Sequence, residues 1–181
     1  MGRVKPVVPQ ETQISVAERY RAAGGSSRYL DTLSTATLNS ADVFAGELVE
    51  GRNLYLTFTS LARMSEVTHG ILYRLVSREV GCLRVNTGLL VSELDGMDCD
   101  FGGVIQTLLS PRVLILSDFL LATKSVRVLR TLDTIICERV DKRAPFAIAS
   151  VMGVAEHKVG TPVGDILVER ITEFSEVRDV T

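Results

Sequence analysis

The residues best placed to do chemistry lie in the stretch Asn53–Glu79, NLYLTFTSLARMSEVTHGILYRLVSRE. It opens with a run typical of a buried strand, residues 54–59, breaks at residues 60–62, and continues with apolar residues at helical spacing from Arg63. Strand, tight loop and helix is the arrangement that carries a phosphate-binding loop in nucleotide-binding α/β proteins. The loop lacks the residues that bind phosphate, so the stretch predicts the scaffold of such a site without its chemistry.

Metal and disulfide chemistry have little support in the sequence. Three cysteines, at positions 82, 99 and 137, are an odd number at wide spacing, which argues against a disulfide framework and a zinc site. Free thiols fit a reducing cytosol. The two histidines, His69 and His157, are too few and too far apart for a metal cluster.

The segment Asp95–Gly103, DGMDCDFGG, holds three aspartates and invites a calcium interpretation. It lacks the closing glutamate that a calcium loop requires at the correct spacing. Aspartate and glycine are also the residues that turns favour, so we predict a turn-rich connection without a metal.

Composition points to one ordinary domain outside the membrane. The chain has 181 residues, 46% apolar and 23% charged, with a net charge of −2, which gives no overall attraction to nucleic acid or to an anionic membrane. No apolar run reaches the roughly 18 residues of a membrane span, and the N-terminus lacks the apolar core of a secretory signal. We therefore expect a cytoplasmic protein without a membrane partner.

The pattern along the chain predicts an N-terminal flexible arm, residues 1–13, which carries Pro6 and Pro9, followed by a single domain, residues 14–181. Residues 28–37 are ambiguous, and Ser40 is a candidate cap for a helix that Gly51 closes. The other predicted helices cover residues 15–23, 63–79 (with Gly81 as the stop), 87–94, 104–109, 124–142 and 161–174. The predicted strands cover residues 54–59, 82–86, 112–117, 146–151 and 175–180.

Strands that alternate with helices predict a doubly wound, mostly parallel five-stranded α/β sheet with helices on both faces. The run RVLILS, residues 112–117, is apolar throughout, which is typical of a strand buried in the middle of a parallel sheet. The sequence gives no sign of repeats or of a second domain.

Three segments give the chain a resemblance to a known family. They are the strand-loop-helix unit from Gly51 to Leu90, the strand RVLILSDF at 112–119, and the long helix and strand at 132–151, LDTIICERVDKRAPFAIASV. Together with the helix near residues 164–171, they resemble the AAA+ ATPase core of the DnaC/IstB family, the bacterial helicase loaders and transposition helper proteins. The resemblance implies a P-loop NTPase fold, here with nothing after Thr181 that could form a lid domain.

The same resemblance assigns positions for a nucleotide site, and most are occupied by unsuitable residues. The Walker A loop maps to residues 57–64, where Ala62 precedes Arg63 at the lysine position and Met64 replaces the Mg²⁺ ligand. The planar guanidinium of arginine is a poor substitute for the compact ammonium charge of lysine, and a thioether is a poor ligand for hard Mg²⁺. The remaining positions are the two Walker B acids at Ser117 and Asp118, the sensor at Ser150, and the arginine finger at Arg170.

Loss of several parts of one site removes both binding and transition-state stabilisation, because phosphoryl transfer depends on positioning and charge. We therefore expect no cofactor and count ATP and Mg²⁺ as doubtful. The leading hypothesis is a pseudo-ATPase, an interaction or scaffold module in DNA replication, recombination or transposition. Its expected partner is a replicative helicase, an AAA+ protein, another copy of itself, or DNA.

A basic face could serve the DNA alternative. Its candidates lie on or beside the helix at residues 124–142 and are Lys124, Arg127, Arg130, Arg139, Lys142 and Arg143. Acidic residues on the same helix favour an ordinary solvated face instead. Two other hypotheses stay open, a divergent helicase-loader type ATPase that uses Arg63 and Asp118, and a structural subunit of an oligomer, suggested by the mean hydropathy of +0.23.

Overall fold

The computed structural model describes residues 14–96, 100–119, 125–157 and 161–180. The predicted N-terminal arm, residues 1–13, lies outside these ranges. The helices are α1 Val16–Ala22, α2 Ser27–Leu30, α3 Thr35–Val49, α4 Leu61–Ser77, α5 Thr87–Leu94, α6 Phe101–Leu109, α7 Val126–Asp141 and α8 Pro162–Phe174. The strands are β1 Leu54–Phe58, β2 Cys82–Asn86, β3 Val113–Ser117, β4 Phe146–Ser150 and β5 Glu176–Val180.

The five strands form one sheet in the order β2-β3-β4-β1-β5, and every neighbouring pair is parallel. This confirms the predicted α/β sheet. The central strands β3 and β4 are buried along their whole length, which explains why their sequences are continuous apolar runs.

Helices cover both faces of the sheet, as predicted. One core lies under α1, α3 and α4 and contains Leu54, Leu56 and Ile115. The other lies under α5 to α8 and contains Tyr55, Leu114 and Ile148. Successive residues of a strand therefore point into different cores, as the two-residue period of a strand requires.

Helix α3 begins at Thr35, capped by Ser34, so the predicted start at Ser40 is wrong. Before Leu48 its buried residues are small (Thr37, Ala41 and Ala45), and a Cβ atom added to Gly70 of α4 would lie 3.0 Å from the Cβ of Ala41. In this first part of α3, close approach of two helix backbones thus replaces the large apolar side chains that indicate most helices in a sequence.

Two further boundaries differ from the prediction. The C-terminal stop of α4 is Glu79, which adopts a left-handed φ of 58° two residues before the predicted Gly81. Helix α6 begins at Phe101, inside the predicted 95–103 loop, because the side chain of Asp100 accepts a hydrogen bond from the Gly103 N–H at 3.0 Å and caps the helix.

Candidate functional site

The sheet has a crevice of the kind that binds ligands in open α/β folds. The helix that follows β1 lies on one face and the helix that follows β4 lies on the other, so the winding direction changes between these adjacent strands. Ligands of such sheets bind outside the carboxyl ends of the strands at this point. The ends of β1, β3 and β4 bring together there the segment 59–64, the pair Ser117-Asp118, and Ser150.

The connection between β1 and α4 has only two residues, Thr59 and Ser60. The helix begins at Leu61, two residues before the predicted start, because the Ser60 hydroxyl accepts a hydrogen bond from the Arg63 N–H at 3.2 Å. This N–H is one that an anion would use at a helix N-terminus. A serine side chain of the protein itself therefore caps the place where phosphate would bind.

The three residues mapped to the end of the Walker A motif lie in the first turn of α4. Ala62 is exposed. The Arg63 guanidinium turns away along the helix to Glu66 (Nη1 to Oε2, 3.3 Å) and to the Thr37 hydroxyl of α3 at 3.4 Å. Met64 is only 2% exposed and belongs to the core beneath α4, so its side chain is a packing residue.

The two residues at the Walker B positions differ in their surroundings. Ser117 is fully buried and its hydroxyl donates to the carbonyl oxygen of Val85 at 3.2 Å. Asp118 is partly exposed, has a left-handed φ of 57°, and accepts a hydrogen bond from the Asn86 amide at 3.3 Å. Of the two residues at the Walker B positions, Asp118 is therefore the one with an acidic side chain within reach of solvent.

Ser150 is buried and already engaged at the end of β4. Its hydroxyl donates to the Phe119 carbonyl at 2.8 Å and accepts from the Met152 N–H at 3.0 Å. Next to it, the Tyr55 hydroxyl donates to the Met152 carbonyl at 2.8 Å and pairs with Nε2 of His157 at 2.7 Å. Burial lowers the pKa of His157 below its usual value. These contacts fasten the segment after β4 onto the sheet.

Arg170 lies apart from the other mapped residues. It is the ninth residue of α8, roughly 12 Å along a helix that starts at the carboxyl edge. Its side chain reaches Asp133 of α7 (Nε to Oδ1, 3.4 Å) and the thiol of Cys137. Within one copy of the chain it holds α8 against α7.

These residues do not fit Mg²⁺ and ATP. A phosphate-binding loop needs a stretch of irregular backbone, and here β1 and α4 are separated by only two residues. The first turn of α4 is also already capped by the Ser60 hydroxyl. The side chain at the lysine position is turned to other partners, and that at the Mg²⁺-ligand position is buried in the core. Among the residues at the mapped nucleotide-site positions, only Asp118 has a carboxylate.

The predicted basic face is not continuous, and its Arg139 was assigned wrongly. Arg139 is 1% exposed, because its guanidinium donates to carbonyl oxygens under α7. Arg127 lies over the ring of Phe101 at 3.4 Å, and Lys142 pairs with Glu138 at 2.8 Å. Arg130 and Arg143 are exposed, at opposite ends of the helix, and Lys124 lies outside the described residues.

Among the described residues there is neither a candidate metal site nor a helix that could span a membrane. No group of three or more His, Cys, Asp or Glu side chains there could hold a metal ion. Cys82 and Cys137 are free thiols, and burial raises the pKa of Cys82 to about 12. None of the helices described for this chain has the length and apolar character to cross a membrane.

The sequence interpretation missed Asn86. It is the last residue of β2, donates to Asp118, and accepts the Leu89 N–H at 3.1 Å as the cap of α5. A polar residue at the end of a strand and before a Thr-Gly helix start was a usable signal, because parallel strands end at a common edge. Burial lowers the pKa of Arg84 of β2, and attraction to the Asp118 carboxylate is among the effects that oppose this shift.

Sequence comparison finds no match to a family model and no match to a curated protein. Comparison of structures does find matches. DnaI aligns with a TM-score of 0.67 at 20% identity, covering 91% of this chain and 90% of that one.

Two further solved structures align over nearly their whole length. A Streptococcus pyogenes serotype M3 protein described as a primosome component has a TM-score of 0.68 at 16% identity, covering 94% of this chain and 97% of that one. The DnaC helicase loader has a TM-score of 0.60 at 17% identity, covering 91% and 99%. At these identities the likeness shows the fold alone: the chain has the P-loop NTPase-like α/β fold that DnaI and the DnaC helicase loader share.

Proposed function

We propose that this protein is a pseudo-ATPase, an AAA+-like interaction module that works in DNA replication, recombination or transposition without hydrolysing nucleotide. The observation that carries the proposal is the two-residue connection between β1 and α4, where Ser60 caps the helix at the phosphate position. Met64 in the core and Arg63 on Glu66 support it from the same turn.

The proposed partner is a replicative helicase or an AAA+ protein. Two of the structural neighbours are described as a helicase loader and a primosome component, which supports a partner of this kind. A protein partner also suits the surface better than DNA does, because Arg139 is buried and Lys142 is paired. The role as a subunit of an oligomer stays a prediction.

Calorimetric titration of the full chain with Mg·ATP and with ADP tests the absence of nucleotide binding. We expect no heat of binding at millimolar nucleotide, because a capped helix start and a two-residue connection leave no nest of backbone N–H groups. Saturable binding with either nucleotide would contradict the proposal and indicate a nucleotide sensor or an enzyme.

A divergent ATPase is the second candidate, and Asp118 is the observation in its favour. Its partly exposed carboxylate, held by Asn86 in a left-handed conformation, lies where a catalytic acid would act. In a phosphate-release assay we expect the wild type and Asp118→Asn to give the same background rate. A wild-type rate that Asp118→Asn abolishes would establish the enzyme, and Asp95→Asn, on the loop after α5, is a control that should keep any such rate.

A further inference from the structure

An apolar groove lies along the outer edge of the sheet, on the face covered by α5 to α8. We call it the edge groove and define it by Leu83 and Val85 of β2, Leu90 of α5, and Val104 and Leu108 of α6. Its volume is about 490 Å³. A space of about 150 Å³ is enough for a benzene-sized group, so the groove has room for about three large apolar side chains.

The rim of the edge groove is polar and acidic. Glu93 of α5 and Asp100, the residue before α6, are exposed, and Thr107 of α6 completes the rim. The Asp100 carboxylate is fixed in place because it also caps α6 through the Gly103 N–H. Leu89, which is 72% exposed, is one helical turn from Glu93 and extends the apolar surface beside it.

A partner could not reach this region by adding a strand to the sheet. The outward N–H of Arg84 on β2 already donates to the Ala23 carbonyl at 2.8 Å. Gly24 adopts a φ of +87°, and a Cβ atom there would lie 2.1 Å from the Arg84 carbonyl oxygen, so the chain after α1 is pressed against the strand edge. The accessible feature is the groove on the face, which suits a helix in the helix-in-groove mode.

We propose that the edge groove binds an amphipathic helix of a partner protein that carries leucine-type residues at i, i+3 or i+4, and i+7, flanked by lysine or arginine. Three such apolar side chains match the volume of the groove, and the basic flanks complement Glu93 and Asp100. The proposal refines the partner chemistry of the interaction module proposed above and does not depend on whether nucleotide binds.

Two synthetic 15-residue helical peptides with the same leucine stripe, one flanked by lysine and the other by glutamate, test the proposal. Anisotropy titration of the full chain should show binding of the lysine peptide, weakened by salt, and little binding of the glutamate peptide. Glu93→Lys should weaken the lysine peptide about two- to fivefold and strengthen the glutamate peptide. Thr107→Trp, which places an indole in the groove, should weaken the lysine peptide at least tenfold.

Matched controls come from α8. Glu169→Lys reverses an exposed charge and Thr172→Trp replaces an exposed threonine that, like Thr107, donates to the carbonyl four residues earlier. Both should leave the lysine peptide's affinity unchanged. Absence of binding at millimolar peptide, equal binding of both peptides, or binding that Thr107→Trp leaves intact would overturn the groove proposal, whereas the pseudo-ATPase proposal would fail only in the nucleotide titration.

Discussion

Replacing Arg139 with alanine is expected to lower the free energy of unfolding by about 4 kcal/mol, the scale for breaking a buried network of several hydrogen bonds to one charged group. The guanidinium lies under α7, and it donates to the carbonyl oxygens of Leu108, Pro111, Arg112 and Pro145 at 2.9–3.2 Å. These carbonyls belong to the last turn of α6, the loop before β3 and the loop before β4. Burial lowers the Arg139 pKa to about 10, which leaves it charged at neutral pH.

Urea unfolding of the wild type, Arg139→Ala and Arg139→Lys measures this effect. Lysine has one ammonium group in place of the planar fork, so Arg139→Lys should recover only part of the loss. Arg130→Ala changes an exposed arginine on the same helix and should shift stability by less than about 0.5 kcal/mol. If Arg139→Ala unfolds at the same urea concentration as Arg130→Ala, the carbonyls are satisfied in another way and the expectation is wrong.

Stability should also fall as the pH is lowered from about 6.5 to about 4, because of His69. The ring is 3% exposed on α4. Its Nδ1 bonds to the Ser65 carbonyl at 2.7 Å, and its Nε2 has no partner among the described residues. Tyr29 stacks on one side at 4.1 Å between ring centroids. Burial, assisted by the nearby Arg84 guanidinium, lowers the pKa of His69 to about 4.

The sign follows from proton linkage. Above pH 6.5 His69 is neutral in both the folded and the unfolded states and contributes no pH dependence. Below pH 6.5 His69 binds a proton in the unfolded chain, whereas in the folded protein it stays neutral down to about pH 4. The free energy of unfolding therefore falls by up to about 3 kcal/mol over this range. Other groups, His157 included, add their own titrations, so the wild type alone does not isolate the effect of His69.

His69→Phe separates the contribution of His69 from the others, because phenylalanine can still stack on Tyr29 but does not titrate. Chemical unfolding at pH 7, 6, 5 and 4 should give a shallower loss of stability for His69→Phe than for the wild type. The difference between the two should grow by about 1.4 kcal/mol per pH unit below 6.5. Parallel curves would show that other groups cause the acid sensitivity.

Arg139 also shows where the sequence held more information than its residue types alone suggest. It lies seven residues after Leu132 and four after Ile135, both buried, so the helical spacing placed it on the inner face of α7. We predicted an exposed Arg139 because of its charge, since an arginine is rarely buried without partners. The partners are main-chain carbonyls of distant loops, which no pattern within the helix can reveal.

The strands and the helices with large apolar stripes could be predicted because their signals are local. The bounds of β2 and α5, Cys82–Asn86 and Thr87–Leu94, agree with the prediction, since Asn86 marks the change from strand to helix. The start of α3 was missed because the buried residues before Leu48 are the small Thr37, Ala41 and Ala45, and the first two lie against Gly70 of α4. Contacts of this kind are set by the tertiary structure.

In the candidate site, sequence could indicate which residue types were unsuitable but not where their side chains would go. The mapping assigned the Walker A loop to residues 57–64, and the periodicity predicted a brief break at residues 60–62. The structure instead has strand to Phe58 and helix from Leu61, so the connection itself is short. The difference comes from Ser60, whose hydroxyl caps the helix and so lets residues 61 and 62, which were predicted to lie in the break, form its first turn.

The position of Met64 limits how a nucleotide site could arise in this protein. Its side chain belongs to the core beneath α4 together with Val67 and Leu56. A Mg²⁺-binding threonine at that position would therefore leave a cavity and a buried hydroxyl, which are costs to folding. Lysine at position 63 would still lack the glycines and the chain length of a phosphate loop. Under the proposed function, a gain of ATP binding would thus require both an insertion between β1 and α4 and a repacked core, so no single substitution would produce it.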